Sequence, residues 1–455
     1  MQAAAIRSSV STSFKLKSPL SLSLCLISFL FAFTLIGCGS SGSGDQKKES
    51  GYVVKFYDAN LDLNYTLSLT AAGSIDLSAL TTEYDLPPAL YAASSAVDLA
   101  SNPSYPVTRS INFYGVPNVK EITNETELSA IRSNLSGKYI LLNDITLTST
   151  TLDDTEGWSP IGDSSTPFTG ILNGNGYKVS GLWIDRSSID NVGLFGYINN
   201  GAKISNFGVS INNVKGGVKG RKTVGAIAGY TYNSSIKNSY SMGNVSGDNS
   251  VGGIAGFLTS SIENSYAMGD VSGVGYVGGI VGQVSGGAIS KSYAAGNVIG
   301  SDNYVGGIVG QADSASSINN SYSTGDVSGV ANVGGIAGYV HNSTITNNAA
   351  INSAIVSASA DAGRVVGYNN SATISNNFAL ATMKVNGATY DVPTTNDHNG
   401  TSKTIGDLTT QATYDGAISG DGLGGLGWQF GDDDDNPWKI DASKNNGYPY
   451  LYWQD

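Results

Sequence analysis

The sequence predicts an all-β chain organised around a parallel β-helix, or solenoid, with coils of about 27 residues. Three observations predict it. A hexapeptide, VGGIAG or VGGIVG, starts at Val251, Val277, Val305 and Val333, and a degenerate VGAIAG starts at Val224. Each hexapeptide is followed by a second block, as in IENSYAMGDVSG or INNSYSTGDVSG. The unit is rich in Gly, Asn, Ser, Val, Ile and Tyr and lacks the i, i+3, i+4 apolar spacing of helical repeats.

The first 37 residues read as an export signal. Arg7, Lys15 and Lys17 precede the apolar run LSLSLCLISFLFAFTLIG, with no acidic residue before Cys38. The run ends in Leu35-Ile36-Gly37-Cys38, which looks like the lipobox of bacterial lipoproteins, so Cys38 is the expected acylation site. Several acyl chains at about 0.8 kcal/mol per buried methylene make such an anchor effectively permanent. Gly39, rather than Asp, after that Cys resembles Gram-negative signals for outer-membrane sorting. Residues 38–50 form a polar tether, and residues 51–119, with near-alternating apolar residues, form a small β domain.

The solenoid is expected over 120–392, with its clearest repeats at 192–378. It opens with a short capping helix: Asn124 is a candidate N-cap, Glu127 follows three residues later, and Leu128, Ile131 and Leu135 supply an apolar face. Within each coil the glycine pairs Gly252-Gly253, Gly278-Gly279, Gly306-Gly307 and Gly334-Gly335 are expected corners, where glycine's conformational freedom would let Val and Ile both face inward. Stacked coils then align Ile236, Ile262, Ile289, Ile318, Ile345 and Ile374. A tyrosine ladder, Tyr240, Tyr266, Tyr293 and Tyr322, runs beside an asparagine ladder, Asn238, Asn264 and Asn320, interrupted by Lys291. The tyrosines read first as a structural stack and second as a sugar-stacking platform. Residues 393–455 are expected to cap the far end, with the aromatic segment from Trp428 to Asp455 closing the last coil.

These blocks resemble the bacterial surface proteins built from GLUG repeats. Gly193-Leu194-Phe195-Gly196 matches the motif's core. ELSAIRSNLSGKYILLNDITL, Trp158 to Gly162 and FTGILNGNGYKVSGL match the segment that leads into such repeats, and Asn446 to Leu451 with Trp453 matches a common ending. The resemblance implies a right-handed β-helix and an adhesin-like role at the cell surface. The same repeats accompany catalytic domains in immunoglobulin-A metallopeptidases, so the repeat alone implies no activity.

A formal net charge of −12 argues against nucleic acid as a partner. The only histidines, His341 and His398, stand in VHNST and DHNGT, outside any H-E-x-x-H or triad pattern. Asp432, Asp433, Asp434 and Asp435 form an acidic run that is a weak candidate for structural Ca²⁺, lacking the turn glycine and terminal Glu of a calcium loop. No other cofactor is expected. The reading is a monomeric, lipid-anchored, non-enzymatic solenoid at the surface of a Gram-negative outer membrane, adhering to a host or neighbouring cell through a protein or glycan ligand. The alternatives are a β-helix polysaccharide lyase or hydrolase, or a periplasm-facing structural lipoprotein. Ligand contacts are expected where coils differ, as at Lys237, Glu263, Lys291 and His341.

Overall fold

A computed structural model describes residues 52–69, 73–76, 90–92, 95–97, 104–107, 110–148, 153, 155–359, 361–389, 398–416 and 424–454. The export signal, Cys38 and the tether lie outside the described residues. Two compact units are present, Met1–Glu121 and Ile122–Asp455.

In the first unit, strand Tyr52–Tyr57 pairs antiparallel with Leu63–Leu69 and parallel with Ile111–Tyr114. Its inward residues, Val54, Phe56 and Phe113, are fully buried, and the two phenylalanine rings stack at 5.3 Å.

The second unit is an all-β, right-handed β-solenoid of about eight turns. The entry helix is α1 (Glu125–Ser129), continued by a 3₁₀ turn over Ala130–Ser133. The Asn124 side chain accepts the Glu127 N–H at 2.9 Å, and the Glu127 carboxylate reaches back to the Thr123 N–H at 2.7 Å. Leu128 and Ile131 join the solenoid core.

A complete coil has five short strands, for example Asn249–Gly252, Ala255–Leu258, Ser261–Glu263, Tyr266–Met268 and Val271–Gly273. Each strand pairs in parallel with its counterpart in the next coil, so five sheets run along the array, termed first to fifth in that order. The repeat sets the register: Val251 pairs with Val277, Ile262 with Ile289, and Tyr266 with Tyr293. The third-sheet isoleucines from Ile236 to Ile374 all point into the core.

The chain bends between the first and second strands at Gly253-Ile254. The physical reason for the glycines differs from the expected one. None of Gly252, Gly253, Gly278, Gly279, Gly306, Gly307, Gly334 and Gly335 has a left-handed φ. They are needed for close approach. A Cβ on Gly252 would lie 2.6 Å from Val281 Cα, and one on Gly253 2.7 Å from Ala267 Cβ. The left-handed corner is elsewhere, between the third and fourth strands, at Asn206, Asn238, Asn264, Lys291, Asn320, Asn347 and Asn376, with φ between 49° and 59°. Asparagine is the side chain that tolerates this region best after glycine, which accounts for the asparagine ladder.

Two side-chain ladders tie coil to coil. In the buried one, the N–H groups of Ser239, Ser265 and Ser292 each donate at 3.2 Å to the hydroxyl of the serine one coil on. The hydroxyls of Ser265 and Ser292 donate onward to Glu263 O and Ser290 O at 2.8 Å. In the exposed ladder, Asn244 Oδ1, Asp270 Oδ1 and Asn297 Oδ1 accept the N–H groups of Asp270, Asn297 and Asp326 at 2.9–3.1 Å.

Residues 398–403 close the far end. His398 O accepts the Val365 and Val366 N–H groups, and Thr401–Lys403 adds a strand beside Phe378–Leu380. The guanidinium of fully buried Arg364 donates to Ser402 Oγ and Gly400 O, both at 2.9 Å. The aromatic segment 424–454, expected across this end, instead folds back along the outside of the fourth sheet as a strap.

Candidate binding face

The fourth sheet carries the tyrosine ladder on its outer side. In Tyr266-Ala267-Met268 the middle residue is buried inward, so its neighbours face out. Tyr240, Tyr266, Tyr293 and Tyr322 stack at 5.0, 5.0 and 4.8 Å, yet Tyr266, Tyr293 and Tyr322 are buried. The strap covers them. Trp453 stacks on Tyr240 and Tyr266, Gln454 Nε2 donates to Tyr293 OH at 2.7 Å, and Tyr322 OH donates to Pro449 O at 2.5 Å. Trp428 and Trp438, 4.7 Å apart, pack on Tyr322, and Trp428 Nε1 donates to Asn347 O at 2.8 Å. Burial pushes the Tyr322 phenol well above its ordinary value.

Asp434 latches the strap to the asparagine corner. Its carboxylate accepts from Asn238 Nδ2 at 3.0 Å and Tyr452 OH at 2.7 Å, and pairs with Lys237 at 3.2 Å. Its carbonyl accepts from Asn264 Nδ2 and Lys291 Nζ. Burial alone would raise this carboxyl, but the bonds from Tyr452 and Asn238 and the Lys237 charge hold it below the ordinary value. Glu263 sits between Lys237 and Lys291 at 3.7 and 3.3 Å. These three side chains, expected as ligand contacts, therefore form the latch.

Two more carboxylates of the acidic run are engaged. Asp432 pairs with Lys439, and Asp433 Oδ1 accepts from the N–H groups of Asp435 and Asn436. Among the described residues, no group of three or more His, Cys, Asp or Glu is placed to hold a metal ion. His341 Nε2 lies 3.0 Å from Asn342 Nδ2. Near the entry helix a cavity of about 560 Å³ is lined by Arg132, Ser159, Asp163 and Asp190. Arg132 lies over the Trp158 ring and donates to Ser129 O, while Asp190 is paired with Arg221.

The strap leaves the outer side of the first and second sheets with a different set of residues. In second-sheet strands the burial alternates, as in Gln311-Ala312-Asp313, where only Ala312 points into the core. The outward column reads Tyr197, Tyr230, Phe257, Gln283, Gln311, Tyr339 and Tyr368 in successive coils. Tyr197, Tyr230 and Phe257 stack at 4.5 and 4.6 Å, and Tyr339 and Tyr368 at 5.7 Å. Beside it a first-sheet column reads Thr223, Ser250, Tyr276, Tyr304 and Asn332, all left-handed with φ from 52° to 66°. The columns touch: Ser250 Oγ lies 3.5 Å from Gln283 Oε1, and Tyr304 packs edge-on against Tyr339 at 5.2 Å. Where the second-sheet column switches to glutamine, the first-sheet column supplies Tyr276 and Tyr304, stacked at 4.9 Å. The aromatic band thus steps sideways and continues.

Sequence reading missed this face although its signal was present. Its residues are those directly before and after each hexapeptide, the variable positions flanking the constant one.

The GLUG motif matches residues 301–328, which run from the first-sheet strand of one coil to the fifth-sheet strand that ends it. Over 145 residues, 30% of this chain, the sequence is 37% identical to "Halomucin" of Haloquadratum walsbyi. Over 114 residues, 24% of this chain, it is 34% identical to a "Putative Gly-rich membrane protein" of Evansella cellulosilytica. These stretches span 2% and 13% of the two relatives. Among solved structures, a "putative immunoglobulin A1 protease from Bacteroides ovatus" aligns with a TM-score of 0.47 at 22% identity, over 74% of this chain and 92% of the other. An "IgA1 Protease" aligns with a TM-score of 0.41 at 16% identity, over 68% of this chain and 25% of the other. The chain therefore carries a GLUG motif within a β-solenoid whose hexapeptide recurs in register from coil to coil.

Proposed function

We propose that this chain is a lipid-anchored protein of the cell surface that holds its solenoid outward and adheres to a neighbouring cell through the band on the first and second sheets. The observation that carries the reading is the contrast between two aromatic columns of one solenoid. The fourth-sheet column is covered by the chain's own strap, whereas every aromatic side chain of the band spanning Tyr197 to Tyr368 is half-buried or exposed. Aromatic rings beside amides are the composition of a contact surface. The lipobox at Cys38 supplies the anchor, and similarity to a protein named for a membrane supports an envelope location.

The test uses intact cells. External protease should remove the solenoid while the outer membrane stays sealed, and mass spectrometry should find Cys38 acylated at the mature N-terminus. Cells carrying Tyr276→Asn and Tyr304→Asn together should adhere less than wild type. Complete protection from protease, or turnover of a glycan by the purified chain, overturns the reading.

A further inference from the structure

The middle of the band holds a cluster whose chemistry is incomplete. Gln311 and Asp313 project from the same strand, and Gln311 Nε2 donates to Asp313 Oδ2 at 3.4 Å. A carboxylate only accepts, so this contact fixes the amide orientation and turns Gln311 Oε1 away. Gln311 Oε1 and Asp313 Oδ1 are both shielded from solvent without a hydrogen-bond partner. Leaving a buried acceptor unsatisfied costs about 1–3 kcal/mol. Two such atoms on adjacent outward side chains make a site that calls for donors.

The surroundings narrow the donor's identity. The coil on one side presents Gln283 and Ser285 at the matching positions, and the coil on the other presents Tyr339 and His341. By the register that sets Ser250 beside Gln283 and Tyr304 beside Tyr339, Tyr276 stands beside Gln311. Tyr276 and Tyr304 occupy left-handed positions, at φ 53° and 66°, that neighbouring coils fill with Ser250 and Asn332. A bulky aromatic held there costs on the order of 1–3 kcal/mol. The strain places two rings next to the orphaned acceptors.

A divalent cation takes six to eight oxygens; two orphaned acceptors, one an amide, fall far short. An acidic polymer would bring like charge to Asp313 and to a chain of net charge −12. A neutral pyranose meets both halves of the site: rotation of the half-buried Gln311 and Asp313 side chains brings Oε1 and Oδ1 out to its hydroxyls, while its C–H face lies on the tyrosines. We infer that Gln311, Asp313, Tyr276 and Tyr304 form a subsite for one pyranose residue of a linear, uncharged glycan. This inference rests on the proposed binding role of the band and names the ligand class.

The experiment is calorimetric titration of the full chain with maltohexaose, cellohexaose, laminarihexaose and xylohexaose, alongside hexagalacturonate and CaCl₂ alone. At least one neutral hexaose should bind, and Gln311→Ala and Tyr304→Asn should each weaken it about tenfold. Asparagine accepts the left-handed backbone, so Tyr304→Asn removes the ring and leaves the fold intact. A circular-dichroism melt equal to or above wild type checks this. Absence of binding by every neutral hexaose, unchanged affinity in both variants, or tighter binding of hexagalacturonate or Ca²⁺ overturns the inference. If cells still adhere through the band while no neutral hexaose binds, the glycan fails and adhesion stands. If adhesion is also lost from the wild type, both fail.

Discussion

Gly253 tests why the hexapeptide contains glycine. Its N–H donates to Gly279 O at 3.2 Å, and the same carbonyl oxygen is the nearest atom to a Cβ built at this position. That Cβ would also sit 2.7 Å from Ala267 Cβ, about 1 Å inside carbon–carbon contact. Moving away costs the coil-to-coil hydrogen bond, about 1 kcal/mol, on top of about 1–3 kcal/mol of overpacking. Gly253→Ala should therefore destabilise by about 3 kcal/mol. For cooperative melting of a unit of about 330 residues this lowers Tm by about 4 °C. Gly201 is the control: its φ is 83° and a Cβ there meets nothing within 4 Å. Ala at Gly201 should cost about 1–2 kcal/mol, and Asn, which tolerates left-handed backbone, a few tenths. Asn at Gly253 should be worse than Ala. Urea unfolding followed by circular dichroism reads all four variants. If Asn rescues Gly253 as it rescues Gly201, conformational freedom is the reason for the glycine pair and the steric account is wrong.

Other expectations concern the strap and the ladders. Trp428→Ala removes a fully buried ring packed on Trp438 and Tyr414 and should cost about 3–5 kcal/mol, read by chemical denaturation. Asp434 has a lowered carboxyl, so its contribution is present above the ordinary carboxylate range near about 4 and disappears as pH falls through the still lower folded value. The Asp434 side chain is 38% exposed, so Asp434→Asn should loosen the strap by only about 1 kcal/mol at neutral pH and flatten that acid dependence, read by tryptophan emission. Alkaline difference spectra should show Tyr322 and Tyr414 resisting ionisation, and Trp428→Ala should lower the titration of Tyr322. Ser265→Ala strands the buried Ser239 N–H and should cost about 1–3 kcal/mol in the same denaturation assay.

The solenoid was legible because its signal is repetitive. One hexapeptide recurring at nearly constant spacing fixes coil length, parallel pairing and the inward isoleucines together. Local physics was harder to read. The asparagine ladder was visible as a pattern, but its left-handed backbone is a property of the corner and not of spacing. The strap was invisible because Asp434 meets Lys237 across 197 positions, a contact that no periodicity records. Its aromatic composition indicated burial but could not say whether it closes the end of the array or its side. The candidate face was overlooked for the opposite reason. Gln283, Gln311 and Tyr339 break the repeat at one position, and a search for sameness passes over differences.

The strap also acts as a gauge. Trp428 is fixed to the coil of Asn347, and Asp434 reaches the coil of Asn238, while Asn264, Lys291 and Asn320 belong to the coils between. Whole coils are interchangeable units that could be gained or lost, since every coil meets the next through the same pairing. Within the gauged interval, however, one extra coil adds about 4.8 Å to the distance a fixed-length segment must span. Only five residues lie between Trp428 and Asp434, so a longer interval would part either the Trp428 indole from Asn347 or the Asp434 carboxylate from Asn238. Repeat number is therefore free to drift only outside the stretch from Asn238 to Asn347. The fourth-sheet tyrosines are the marks by which the chain counts its own coils.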